Sequence, residues 1–203
     1  MVYLPTISHE EIDALQPAAF KGEVIVVEEK SKEYKDAIEY LSNQRIIGFD
    51  TETKPMFQAN AKKNDVALLQ LSGTDHAYIF RLTLLGLPDD LCKILSSNKI
   101  IKVGAAVHDD IRGLQRYTKF TAKGFVDLQT IGINWGIKEK SVRKMAAIIL
   151  GVKISKSQQL SNWEAHELSQ AQIQYAAIDA WACQRMYLKL LSTPKEIAQE
   201  IKS

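Results

Sequence analysis

The 203 residues suit one compact domain long enough to bury a proper core, and leave little room for a second. Apolar residues make up 46% and charged ones 25%, ordinary proportions that exclude a disordered or fibrous chain. The formal charge of +2 is too small to announce a nucleic-acid partner, and the two cysteines, Cys92 and Cys183, stand far apart in no CxxC pairing, against structural zinc or a disulfide framework.

The opening MVYLPTISHEEIDAL lacks the basic start and apolar run of a signal peptide, and no window approaches the ~18 consecutive apolar residues of a membrane span. Together with the cysteine usage this predicts a soluble, intracellular, cytoplasmic protein with no membrane partner. Ser8 followed by Glu11 has the spacing of a capping box and predicts a short helix in an N-terminal arm, residues 1–21. The β-branched GEVIVVEE reads as a strand. SKEYKDAIEYLSNQ sets Tyr34, Ala37, Ile38 and Leu41 at helical spacing, and RIIGFD reads as a buried strand. VALLQLSG and HAYIFRL are two more strands joined by the turn-forming GTD, an antiparallel meander.

PDDLCKILSS begins with a proline and acids, as helix N-termini do, and is followed by the strand-like KIIKVGAA and the helix-like DDIRGLQRY. From Val126 the chain reads mostly helical, through KMAAIILG, QQLSNWEAHE and a long final helix over about 169–191, with a tail at 193–203. Strands first and helices later predict an α/β fold with a mixed sheet flanked by helices, filling residues 22–192.

Carboxylates stand at three places. Asp50 and Glu52, in FDTE, share one face of a strand and can point at a common cation. The final helix starts at Ser169 and Gln172 in capping-box spacing and carries Tyr175 and Asp179 one turn apart. Its apolar stripe of Ile173, Ala176, Ala177, Ala180, Tyr187 and Leu191 lies roughly 130° away from that pair. Asp109 and Asp110 sit where a small-residue strand gives way to a helix; an N-cap explains one of them and leaves the other for different work. A solvated turn and a helix cap are the plain explanations of each piece taken singly.

Together, FDTE, VHDDIRGL and YAAID resemble the three motifs of the DEDD superfamily of 3′-to-5′ exonucleases in its tyrosine branch, closest in wording to the Werner-type exonuclease domain and ribonuclease D. VALLQLS and LSNWEAHELSQAQIQYAAIDAW extend the similarity over about residues 22–191. The resemblance implies a ribonuclease H-like sheet of five or six strands. It also implies that Asp50, Glu52, Asp110 and Asp179 bind two divalent cations, with Asp50 bridging them, and that Tyr175 positions the attacking water. Asp110 takes the metal role over Asp109 because the family spacing sets an apolar residue, here Leu114, four positions on. Tyr175 lies four residues before the last Asp, the tyrosine-branch position, which His166 does not match. Where Werner-type domains often carry a Trp after the first-motif Glu, this chain has Thr53 and Lys54.

Carboxylates without a His or Cys cluster suit Mg²⁺ or Mn²⁺. Two such ions supply what phosphodiester hydrolysis needs, namely an activated water and charge neutralisation at the departing oxygen. KEKSVRK and KISK flank MAAIIL and form the densest basic region, so Lys138, Lys140, Arg143 and Lys144 are candidate phosphate contacts, with a solvated helix end as the plainer reading. Met56, Phe57 and Trp163 are candidates to stack on terminal bases, against core packing. The function expected is a metal-dependent 3′-5′ exonuclease on DNA or RNA, releasing nucleoside 5′-monophosphates. The alternatives are an inactive nucleic-acid-binding module of the same fold and a two-metal hydrolase of small phosphodiesters.

Overall fold

A computed structural model describes residues 3–56 and 64–195. The arm contains α1 (His9–Asp13), whose capping box between Ser8 and Glu11 forms in both directions, and β1 (Gln16–Pro17). Then follow β2 (Glu23–Val27), α2 (Lys32–Ser42), β3 (Ile46–Thr53), β4 (Val66–Ser72), β5 (His76–Arg81), α3 (Leu82–Leu85), α4 (Asp89–Leu95) and β6 (Ile101–Gly104). The second half holds α5 (Val107–Leu114), β7 (Phe125–Asp127), α6 (Leu128–Ile131), α7 (Val142–Leu150), β8 (Val152–Lys153) and α8 (Gln170–Leu191).

Six strands make one mixed sheet in the order β2-β5-β4-β3-β6-β7. The meander β3-β4-β5 is antiparallel, while β2, β6 and β7 add parallel to their neighbours. The central β4 is buried along its whole length, which is why it reads as a nearly continuous apolar run. One face of the sheet carries the larger core, where Tyr34 and Leu41 of α2, Leu91 of α4 and Leu114 of α5 meet Phe49, Leu69, Leu71 and Phe80. The other face is covered by α8, behind which Met145 and Ala146 of α7 pack on Ala182, Cys183 and Met186.

Helix α8 starts where its capping box predicts, with Ser169 and Gln172 bonded reciprocally. Its burial differs from a single apolar stripe: Ala182 and Met186 are fully buried and Leu191 is 55% exposed, because the sheet and α7 enclose the helix from two sides. The helix crosses β3 very closely. A Cβ on Gly48 would overlap the Ala180 carbonyl oxygen, so only glycine permits this approach. Gln184 Nε2 donates to the Ile46 carbonyl at 2.9 Å and ties the same two elements together one turn on.

Two stretches depart from the sequence reading. The segment QQLSNWEAHE is turns and bends instead of helix. Its carbonyls are taken by distant side chains: Arg81 Nη1 donates to His166 O at 2.7 Å and Nη2 to Ala165 O, and Gln172 Nε2 donates to Asn162 O. Helix α5 begins at Val107, two residues before the acids, so neither Asp109 nor Asp110 is its N-cap. Ala106, in the left-handed region at φ 56°, turns the chain there, and Asp127 accepts from Val107 N at 3.2 Å and Gln129 N at 2.8 Å, serving the starts of both α5 and α6. No helix among the described residues is long and apolar enough to cross a membrane.

Candidate metal centre and active site

The alternation of β3 sends Asp50 and Glu52 to the α8 side of the sheet, opposite Gln70 and Leu68 of β4, and Thr51 to the other side. The strand register shifts just after Glu52, so regular pairing ends at the acids. Because Gly48 lets α8 settle on β3, Asp179 arrives above them: carboxylate oxygens of Asp50, Glu52 and Asp179 lie within 4.8 Å of one another. Asp110 stands on the α5 side, its Oδ1 accepting the Thr51 hydroxyl at 2.6 Å. Its neighbour Asp109 is exposed and paired with Arg112.

So much negative charge in a half-dry place raises the carboxyl pKa values. Glu52 is pushed up to about 8 by burial, then by Asp179 and Asp110. Asp179 is raised to about 7 by burial, with Tyr175 opposing the shift. Asp50 stands well above the ordinary carboxylate value, from burial first and then Asp179, Glu52 and Asp110. Tyr175 faces Asp179, and burial together with the three acids drives its phenol far above the usual tyrosine range. The phenol therefore stays protonated at neutral pH, with one proton to donate and an oxygen that can still accept. Its ring is seated against the Trp163 indole, with centroids 5.8 Å apart.

Trp163 corrects an expectation. It is fully buried among Leu68, Ile79 and Ala176, so its faces are closed to a nucleic-acid base. Met56 follows β3 and is 39% exposed, whereas Phe57 lies outside the described residues. Lys138 and Lys140 are exposed. Arg143 pairs with Asp13 at 3.1 Å and Lys144 with Glu139 at 3.0 Å, so these two are held by acids of the protein itself. A groove of about 460 Å³ opens beside Arg143, with Asp13, Lys153, Lys156 and Ile178 also in its lining.

Gly48, Thr51 and Gln70 also shape the centre, and Arg81 pins the carbonyls of Ala165 and His166 in the segment that carries Trp163. Gln70 is buried next to Asp50 on the strand pair, with no hydrogen-bond partner for either amide atom among the described residues. A glycine inside an apolar strand was a legible signal of close approach. The other three act through contacts distant in sequence.

A mixed sheet with carboxylates gathered at the end of β3, under the crossing helix α8, defines the ribonuclease H-like class, in keeping with the solved neighbour. The family model described as 3′-5′ exonuclease matches residues 25–193, and the chain belongs to that family. Exonuclease 3′-5′ domain-containing protein 2 of Drosophila melanogaster is 32% identical over 150 residues, which cover 72% of this chain and 25% of the relative. The bifunctional 3′-5′ exonuclease/ATP-dependent helicase WRN of Mus musculus is 29% identical over 157 residues, 74% of this chain and 11% of the relative. The crystal structure of the Aedes aegypti Nibbler EXO domain superposes with a TM-score of 0.73 at 25% identity, covering 86% of this chain and 91% of that one. The chain thus spans about a quarter or less of the length of these two curated relatives.

Proposed function

We propose that the chain is a 3′-5′ exonuclease that hydrolyses phosphodiester bonds at the 3′ end of DNA or RNA and releases nucleoside 5′-monophosphates. The observation that carries this reading is the convergence of Asp50, Glu52 and Asp179 within 4.8 Å, in a chain of the 3′-5′ exonuclease family. The donor set fits hard divalent cations: oxygen ligands only, part-buried, pressed by one another's charge. Asp50, Glu52, Asp179 and Asp110 would hold two such ions, Mg²⁺ or Mn²⁺. When bound, such a pair supplies positive charge at the attacking and departing oxygens and loosens a proton of water.

The Tyr175 hydroxyl orients the attacking water through a hydrogen bond, and its seat on Trp163 fixes its direction. The water oxygen joins the phosphorus and gives up a proton, the bond from phosphorus to the 3′ oxygen breaks, and that oxygen takes up a proton in turn to become the new chain end. Upstream phosphates meet Lys138 and Lys140, and Met56 and Phe57 lie next in sequence to the acidic strand end, where the terminal nucleotide sits. The organisation proposed is an arm at 1–21, the catalytic domain at 22–192 and a tail from 193, in a reducing, cytoplasmic setting.

The test uses purified protein with Mg²⁺ or Mn²⁺ on end-labelled single-stranded DNA, recessed duplex DNA and RNA, beside a chromogenic phosphodiester. Stepwise ladders are expected, abolished in Asp50→Asn and Asp179→Asn. Full activity in either variant refutes the assignment. Turnover of the chromogenic diester alone favours a small-substrate hydrolase, and binding without cleavage favours an inactive module.

A further inference from the structure

We infer that Thr51 is a positioning residue that sets the carboxylate of Asp110 for the metal centre; this rests on the metal-dependent reading above. Three observations lead to it. Strand alternation turns Thr51 away from Asp50 and Glu52 and toward α5, the helix that brings Asp110. The Thr51 Oγ1 to Asp110 Oδ1 separation of 2.6 Å is that of a hydroxyl donating to an ionised carboxylate. Asp110 lies across the sheet from Asp179 and outside the cluster of Asp50, Glu52 and Asp179, yet its charge bears on both Asp50 and Glu52.

The chemistry of the donor matters. A Lys or Arg at this place would neutralise Asp110 and weaken its pull on a cation, whereas a hydroxyl fixes the carboxylate plane and leaves its charge intact. A carboxylate has about four lone-pair sites, so accepting this hydroxyl does not by itself fill it. The β-propensity of threonine accounts for a β-branched residue in the strand but not for its hydroxyl, since valine serves a strand equally well. Groups that orient metal ligands in this way are typically worth 10–100-fold in metal affinity or activity.

The test titrates the full chain with Mn²⁺ by calorimetry, without substrate, in wild type, Thr51→Val and Thr51→Ser, with melting curves in EDTA to verify folding. Thr51→Val is expected to bind Mn²⁺ on the order of tenfold more weakly, and Thr51→Ser to stay within about twofold of wild type. On an oligonucleotide, Thr51→Val then needs more Mn²⁺ for half-maximal rate at an unchanged KM. Wild-type Mn²⁺ affinity in Thr51→Val overturns the inference. So does a Thr51→Ser variant as weak as Thr51→Val, the comparison that still decides if the valine variant folds poorly. A wild-type protein that takes up no Mn²⁺ would instead bring down the metal reading itself, and this inference with it.

Discussion

Glu52 and Asp179 keep their protons into the neutral range, near pH 8 and 7, against ordinary values of 4.5 and 3.8. Between those limits these two groups bind more protons in the folded chain than in the unfolded one, so their contribution to stability is greatest at the acid end of that window and is lost as pH rises through the folded values. Lys102, buried and held down to about 8, acts in the opposite direction, but only from there upward to its ordinary 10.5. Metal-free protein is therefore expected to melt at a lower temperature at pH 8 than at pH 5.5. Glu52→Gln should flatten that slope and raise the melting temperature at pH 8, by about 2–4 °C per kcal/mol of relieved repulsion. Melting curves in EDTA check both statements, and a flat wild-type profile contradicts them. The Tyr175 phenol, protonated throughout this range, predicts a different signature. Tyr175→Phe should lower kcat on the order of 10²-fold with KM nearly unchanged, because the missing hydrogen bond matters chiefly in the transition state. A KM effect with intact kcat would assign the hydroxyl to substrate binding.

The meeting of α8 with β3 is the element-scale contact on which the acidic centre depends. Gly48→Ala places a methyl against the backbone oxygen of Ala180, which cannot rotate away, so the helix must lift. We expect a loss of about 1–3 kcal/mol, as for other overpacked contacts, together with weaker Mn²⁺ binding as Asp179 draws away from Asp50. Urea denaturation and calorimetry measure the two effects. A stable variant with an intact metal site would show that the helix is held elsewhere. What the sequence revealed at this scale was whatever local periodicity encodes. The meander of β3, β4 and β5 showed in its apolar runs and its turn at Gly73, and α8 in its reciprocal cap. The pairing of Asp50 and Glu52 followed from strand alternation, and motif wording carried the link to Asp179. QQLSNWEAHE misled because its apolar spacing says nothing of Arg81, which reaches from β5 to take two of its carbonyls. The three-residue β7 is too short for a periodic signal, and its Asp127 supplies the cap expected of Asp109 or Asp110. Thr51 looked like any β-branched residue until α5 was in place.

Across the whole molecule the charge is nearly balanced, and the arrangement of the basic residues carries more information than the sum. The arm lies along α7 and β8: β1 pairs in parallel with β8, and Asp13 reaches both Arg143 at 3.1 Å and Lys153 at 3.7 Å. Two of the cations beside the groove thus hold the arm in place, while Lys138, Lys140 and Lys156 stay exposed to solvent. These groups should respond differently to charge reversal. Lys→Glu at 138, 140 and 156 together should raise KM for a single-stranded oligonucleotide and reduce its salt slope by roughly 0.7 for each phosphate that is no longer neutralised. Arg143→Glu, by setting a like charge against Asp13, should mainly loosen the arm and lower the melting temperature, with a smaller change in slope. KM measured between about 50 and 200 mM salt, beside melting curves, separates the two. An unchanged slope in the triple variant would take these lysines out of the substrate path. A full loss of slope in Arg143→Glu alone would mean that the arm yields its cations to the incoming strand.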